Sequence, residues 1–399
     1  MSHSLVALID AYDRDVLAFV KRGIEESDEK VFNELALRGF EILYRSKKPY
    51  RDYCIRKTAS PETLDHWMAI PAVSSFAFKR LLERAFSARK AEEVYLQGGT
   101  MELRSKRGPF FPDERLVALM SSGNRLLEKA FLFSDVERIK MLFMIPIPEM
   151  APGMVMAKGL ERMKAGFGTD DSRFLISFRG VDLSALVVAL RQAEKSGQQL
   201  ALLGATWGFD YFLDACRTAD IVFRLPAGSR VVDSGGYVGR YAKCTKEEFL
   251  EKCLETLGVP EHHCINALWL CESSTVYFDN VLRNALSGVG RPRYKEIPPW
   301  CRTIVVDPVN FQRLPKGQPG LLRHYDLTNR GMAVAVQTDK MGFETEDGFE
   351  VLGKWNQDLS NPNIERTPRH PGGRIVSHVM DSFLGWRFSR LGKIYSSAG

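Results

Sequence analysis

Toward the C-terminal end, AVAVQTDKMGFETEDGFEVLG places Asp339 just after one strand-like run. Gly342 and then Glu346-Asp347-Gly348 turn the chain back, and a second run ends at Gly353. A carboxylate at a strand end, beside hairpin chemistry and a glycine exit, can accept hydrogen bonds from a ligand's paired hydroxyls. Glu272 is a second candidate. It follows the apolar run HHCINALWL, and in α/β sheets ligands gather at the C-terminal ends of strands; its oxygens could hold Mg2+. A glutamate favoured by a helix dipole is the structural alternative. Two glycine turns add backbone donors. Gly98 and Gly99 follow the run VYLQ and precede Thr100, with Arg104, Lys106 and Arg107 beyond; N–H groups there could approach phosphates. Gly235 and Gly236 close SRVVDSGG, where a flat ring could lie on bare backbone. Either turn also reads as an ordinary connection. Neither is a Walker loop, and no GxSxG, HExxH or GxGxxG occurs.

The elements that must position these residues fall into three stretches. Residues 1–90 read as helical: LIDAYDRDVLAFVKRGI and VFNELALRGFEILYR repeat apolar residues at three and four. Ser60-Pro61 predicts a further helix start, and AIPAVSSFAFKRLLERAF another. Over 91–353, strands and helices alternate: RIKMLFMIPIP, VDLSALVVALRQAEKSG, QLALLGATWG, FDYFLDACRTA, DIVFRLP, SRVVDSGG, TKEEFLEKCLETLGV and HHCINALWL. Apolar strands between helices predict an α/β fold with mostly parallel sheets. Thr245 and Glu248 have capping-box spacing, and 301–353 reads as antiparallel hairpins. Residues 354–399 form a polar, proline- and glycine-bearing linker followed by a short remnant.

The chain has 399 residues, 45% hydrophobic and 26% charged, with a net charge of +6. That excess is too small and too spread for a nucleic-acid footprint, and it suits anionic small ligands. Seven cysteines occur without CxxC spacing, so a disulfide framework is not expected and a reducing, cytoplasmic setting is. Buried, inert thiols are the expectation for Cys271 and Cys264. The apolar run 141–157 is broken by prolines, so no membrane span is expected.

In order, VSSFAFKRLL, YLQGGTMELRSKRG, LALLGATWGFDYFLD, LPAGSRVVDSGGYVGR, LGVPEHHCINALWLCESSTVYFDN and TDKMG…DGFEVLG resemble the acyl-protein synthetase family (long-chain-fatty-acid–luciferin-component ligases), close to phenylacetate–CoA ligases in the adenylate-forming superfamily. The resemblance implies ATP-dependent activation of a fatty or aromatic carboxylic acid as an acyl-adenylate, then transfer to an acceptor protein or thiol, with ATP and Mg2+ as cofactors. It implies a large adenylate-forming-type domain with a truncated C-terminal appendage. Gly98, Gly99 and Thr100 would meet phosphates, Gly235 and Gly236 adenine, Asp339 the ribose, and Glu272 the metal. The acid would lie near Trp207 and 235–240. RLGKIYSS echoes the family's catalytic lysine at Lys393; an exposed helix-end lysine is the plainer reading. The chain departs from the family elsewhere. Gln97-Gly98-Gly99-Thr100-Met101 replaces a hydroxyl-rich TSGTT loop, Leu268 replaces the adenine-stacking aromatic, and Trp269 fills a glycine position, blocking the pocket or stacking on the base. No cysteine follows Cys301. The alternative function is therefore a catalytically impaired homologue that binds an acyl compound or a partner protein.

Overall fold

A computed structural model describes residues 3–75, 77, 95–96, 109–110, 114–151, 154–237, 244–355 and 387–397. The N-terminal helices are α1 (His3–Val20), α2 (Glu29–Ser46) and α3 (Lys48–Arg56). They lead to the two-residue β1 (Val73–Ser74); β2 (Tyr95–Leu96) and β3 (Pro109–Phe110) pair with each other. There follow α4 (Glu114–Phe131), β4 (Lys140–Pro146), α5 (Val155–Phe167), β5 (Arg173–Ser177), β6 (Gly180–Val181), α6 (Leu183–Ser196), β7 (Leu200–Ala205), α7 (Thr206–Thr218), β8 (Arg230–Ser234), α8 (Lys246–Leu257), β9 (Cys264–Leu268), β10 (Tyr277–Phe278) and α9 (Val281–Ser287). The chain continues through β11 (Lys295–Glu296), β12 (Cys301–Val306), β13 (Gly320–Asp326), β14 (Ala335–Glu344), β15 (Gly348–Lys354) and α10 (Leu391–Ser397).

The larger sheet runs β10-β9-β8-β7-β4-β5-β6. Its inner neighbours are parallel and only the edge strands β10 and β6 run antiparallel. Alternation along each strand splits the core in two. Met141, Phe143 and Ile145 of β4, with Ala201 and Leu203 of β7, face a cluster shared with α1, α2, α4 and α5. Leu142, Met144, Leu200 and Leu202 face α6, α7, α8 and α10. Strands covered on both faces need continuous apolar sequence, and every residue of LALLGA is buried.

The second sheet is antiparallel, β11-β15-β14-β13-β12, as the hairpin pattern predicts. β1 adds to β14 in parallel, with Val73 opposite Val336 and Ser74 opposite Gln337. Alongside it α1 is held by Tyr12, whose hydroxyl donates to the Leu327 carbonyl at 2.7 Å.

Three expectations are corrected. DIVFRLP is not a strand: residues 221–226 run irregularly, and the Phe223 and Leu225 amides donate to the Thr256 and Leu257 carbonyls. The apolar run satisfies the open carbonyls at the end of α8, a demand that helix ends impose and periodicity does not show. Thr206-Trp207-Gly208 belongs to α7, since β7 stops at Ala205. Ser60-Pro61 starts only a single turn, with the Thr63 and Leu64 amides both donating to the Ser60 carbonyl. The capping box at Thr245 and Glu248 is present in both directions.

Candidate active site

The chemistry gathers where the loop after β9 meets the second sheet. Strand β9 delivers Trp269–Thr275 into this junction, and side chains from four other segments bind it. Asn124 of α4 donates to the Ser274 carbonyl at 2.8 Å and accepts the Val276 amide at 2.9 Å. Asp326, at the end of β13, accepts from Ser273 Oγ at 3.0 Å and the Thr275 amide at 2.9 Å through one oxygen. Its other oxygen takes the Thr328 amide and hydroxyl at 2.9 and 2.6 Å. Asn329 donates to the Glu272 carbonyl at 2.8 Å and accepts from Ser274 Oγ at 3.1 Å. With its backbone fixed, Glu272 accepts a hydrogen bond at Oε1 from Ser75 Oγ, which follows β1 and also lies 3.3 Å from the Gln337 carbonyl of β14. Asp339 stands two residues further along β14. Ser75 therefore joins the Glu272 loop to the strand that carries Asp339.

Asp339 shows 12% of its side chain, and its Oδ2 lies 3.2 Å from Nζ of the largely exposed Lys354. Its carbonyl accepts the Trp355 amide at 2.8 Å. The carboxylate is thus held by one solvent-side cation that a ligand hydroxyl could replace.

Gly235 and Gly236 end β8 on an exposed edge above a buried polar floor. Two residues before Gly235, Asp233 Oδ2 accepts from Thr206 Oγ1 (2.6 Å), Asn266 Nδ2 (2.8 Å) and Tyr237 Oη (2.9 Å). Burial pushes the Asp233 carboxyl up, and these three donors push it back. The next carboxylate behaves oppositely. Burial alone would raise Asp279, but Lys295 at 2.8 Å and Arg293 at 2.7 Å hold it below the usual carboxylate range. Gly235 has φ +137°, and a Cβ there would lie 3.1 Å from Thr206 Oγ1. Only glycine takes this turn without strain.

Trp269 seats its ring against Gly159, where a Cβ would come within 2.2 Å of it. The ring borders a cavity of about 90 Å3 lined also by Asn124, Glu128, Arg162, Ser273 and Leu270. Trp207 does not line this cavity; it packs between both cores at the start of α7. Leu268 is buried opposite Tyr277. Lys393 faces solvent on α10, which packs on α6 and α7 rather than beside Glu272. Gly98, Gly99 and Thr100 lie outside the described residues. Among the described cysteines, Cys301 is fully buried, and burial first, with Asp326 second, pushes its thiol well up. Among the described residues no group of three His, Cys, Asp or Glu side chains is placed to hold a metal ion. No helix among them is long and apolar enough to cross a membrane.

Ser75, Asp326 and Asn329 carry much of this arrangement, and sequence reasoning gave them no role. The only signals were their presence in VSSFAFKR and in the DLTN run before Asp339.

No protein-family profile and no curated protein sequence matches the chain. Solved structures do. A 2-hydroxyisobutyryl-CoA ligase in the postadenylation state with 2-HIB-AMP aligns with TM-score 0.59 at 11% identity, over 79% of this chain and 64% of that one. The chain has the fold of the adenylate-forming ligases. An open form of the same ligase, with 2-HIB-AMP and CoA, aligns with TM-score 0.58 at 12% identity, over 81% of this chain and 74% of that one. The chain thus spans about two thirds to three quarters of the length of these neighbours.

Proposed function

We propose that this protein activates a carboxylic acid with ATP and Mg2+, forming an acyl-adenylate, and passes the acyl group to an external thiol or acceptor protein. The observation that carries this reading is Glu272, buried and clamped at the sheet junction within an adenylate-forming fold. A single fixed carboxylate suits Mg2+, which keeps its waters and is usually shared between one or two carboxylates and substrate phosphates. Bound ATP supplies the adenylyl group: a carboxylate oxygen of the acid bonds to the α-phosphorus, and pyrophosphate leaves. The protein's part is positioning. Asp339 accepts from the ribose hydroxyls, the bare Gly235-Gly236 backbone takes the base, and Glu272 would hold the metal, with Gly98, Gly99 and Thr100 assigned to the phosphates; Lys393, exposed on α10 away from Glu272, is given no role.

The acid is the finer part of the proposal. A fatty or aromatic acid fits the resemblance to the acyl-protein synthetases and phenylacetate–CoA ligases, but Trp269 on Gly159 leaves a short cavity and favours a small one. Cys301 is wholly buried and is not proposed as the acyl carrier; an external thiol or protein is. The same Trp269 supports a second reading, a non-catalytic binder of an acyl compound or partner.

Calorimetric titration with ATP and Mg2+ tests the proposal. Asp339→Ala is expected to weaken binding by about 1–3 kcal/mol through the lost hydrogen bonds. Equal affinity in wild type and variant removes Asp339 from the site. Binding without pyrophosphate exchange for any acid selects the second reading.

A further inference from the structure

The cavity beside Trp269 contains a carboxyl that the nucleotide reading does not use. Ser121, Asn124, Arg125 and Glu128 recur at three and four along α4 and form one wall of the cavity. Met120, Val155, Phe167, Leu270 and Val276 make much of the remaining lining apolar. Among the described residues no hydrogen bond reaches the Glu128 carboxyl. Arg125 and Arg162 act on it only through space, and Arg125 also lies over the Phe167 ring at 5.5 Å. Burial outweighs both cations and pushes Glu128 up to about 8. Near neutral pH it is therefore a neutral acid, able to donate and to accept. A buried carboxyl with no hydrogen bond is costly to leave unmet, and such groups reject ligands that lack the matching polar atom; Ser121, Asn124, Arg125, Arg162, Ser273 and Ser274 supply the rest of the polar lining. The cavity volume of about 90 Å3 is well below the roughly 300 Å3 at which drug-sized sites begin.

We propose that Glu128 is a specificity-determining residue that selects a short carboxylic acid bearing a hydrogen-bond donor, hydroxyl or amino, remote from its carboxylate. This deepens the adenylation reading, in which the cavity beside Trp269 receives the acid.

The test uses three probes of matched length: butyrate, 3-hydroxypropionate and β-alanine. Each is titrated into wild type, Glu128→Gln and Glu128→Leu by ligand-observed NMR, with ATP and Mg2+ titrated separately. A donor-bearing probe should bind wild type at least about tenfold more tightly than butyrate. Glu128→Leu should lose that preference, and Glu128→Gln should keep it for the hydroxyl. Wild-type binding that grows above pH 8 for β-alanine alone identifies an ammonium ligand; a preference for 3-hydroxypropionate that holds across that pH identifies a hydroxyl. Equal or tighter binding of butyrate, no binding of any probe, or discrimination that survives in a folded Glu128→Leu protein overturns the assignment. If ATP binds while the acids are not discriminated, only the Glu128 inference falls. If donor-bearing acids are discriminated while ATP does not bind, the nucleotide reading falls and the Glu128 assignment stands.

Discussion

Glu272 and Glu128 border the same loop and are equally withdrawn from water, each 7% exposed. Their surroundings differ. Glu272 has a hydroxyl donor in Ser75 and a backbone fixed by Asn329. Glu128 has two cations at a distance and no donor among the described residues. The extent of burial is the same; the hydrogen-bond partners are not. One carboxyl is braced in advance, as its proposed metal-holding role requires. The other keeps its hydrogen-bonding capacity open toward a cavity.

The braced side should break hardest. Asp326 accepts four hydrogen bonds while buried. Asp326→Ala strands those donors and is expected to cost on the order of 3–5 kcal/mol, read as a lower denaturant midpoint at constant slope. An effect below about 1 kcal/mol would mean the loop is not held this way.

The open side should respond to pH with the opposite sign from an ordinary paired carboxylate. Glu128 lies at about 8 in the fold against an ordinary 4.5, so the folded state holds a proton that the unfolded chain releases between those values. Its contribution is fully present below pH 4.5 and is lost as pH rises through 8. Glu128→Gln should therefore be the more stable protein at pH 8, by about 2–4 kcal/mol, with the gap closing toward pH 4.5. Parallel unfolding curves at every pH would show that Glu128 titrates normally.

The smallest effect is expected at the boundary between the two regions. Gly159→Ala places a methyl where the Trp269 ring lies. Overpacking of this kind costs about 1–3 kcal/mol. It should also shift Trp269 fluorescence, since the ring must leave its seat; an unchanged spectrum would place the ring elsewhere.

Much of the fold was legible because it rests on local rules. The capping box at Thr245, the apolar β7 and β9 and the hairpins of β12–β15 follow from period and turn chemistry. Residues 221–226 misled because a short apolar run looks the same whether it pairs in a sheet or caps a helix. The site was only half legible. Glu272 stood out beyond a strand, but Asp339, expected just after a strand with a turn at Gly342, lies inside β14, which runs through Gly342 to Glu344; Ser75 is 197 residues from its partner Glu272, and no spacing rule reaches that far. Glu128, in RLLEKAF, receives no role from sequence reasoning; among the described residues, the packing of α4 against α5 and the Trp269 loop buries it.

The short parallel strand β1 has a consequence in time. It pairs residue 73 with residue 336, and Ser75 directly follows it. Contacts so distant along the chain carry a large loop-closure entropy and tend to form late. The Glu272 carboxylate is therefore expected to acquire its brace only after both sheets exist, so nucleotide affinity during refolding should appear after the secondary structure, with a lag that records the docking of β1.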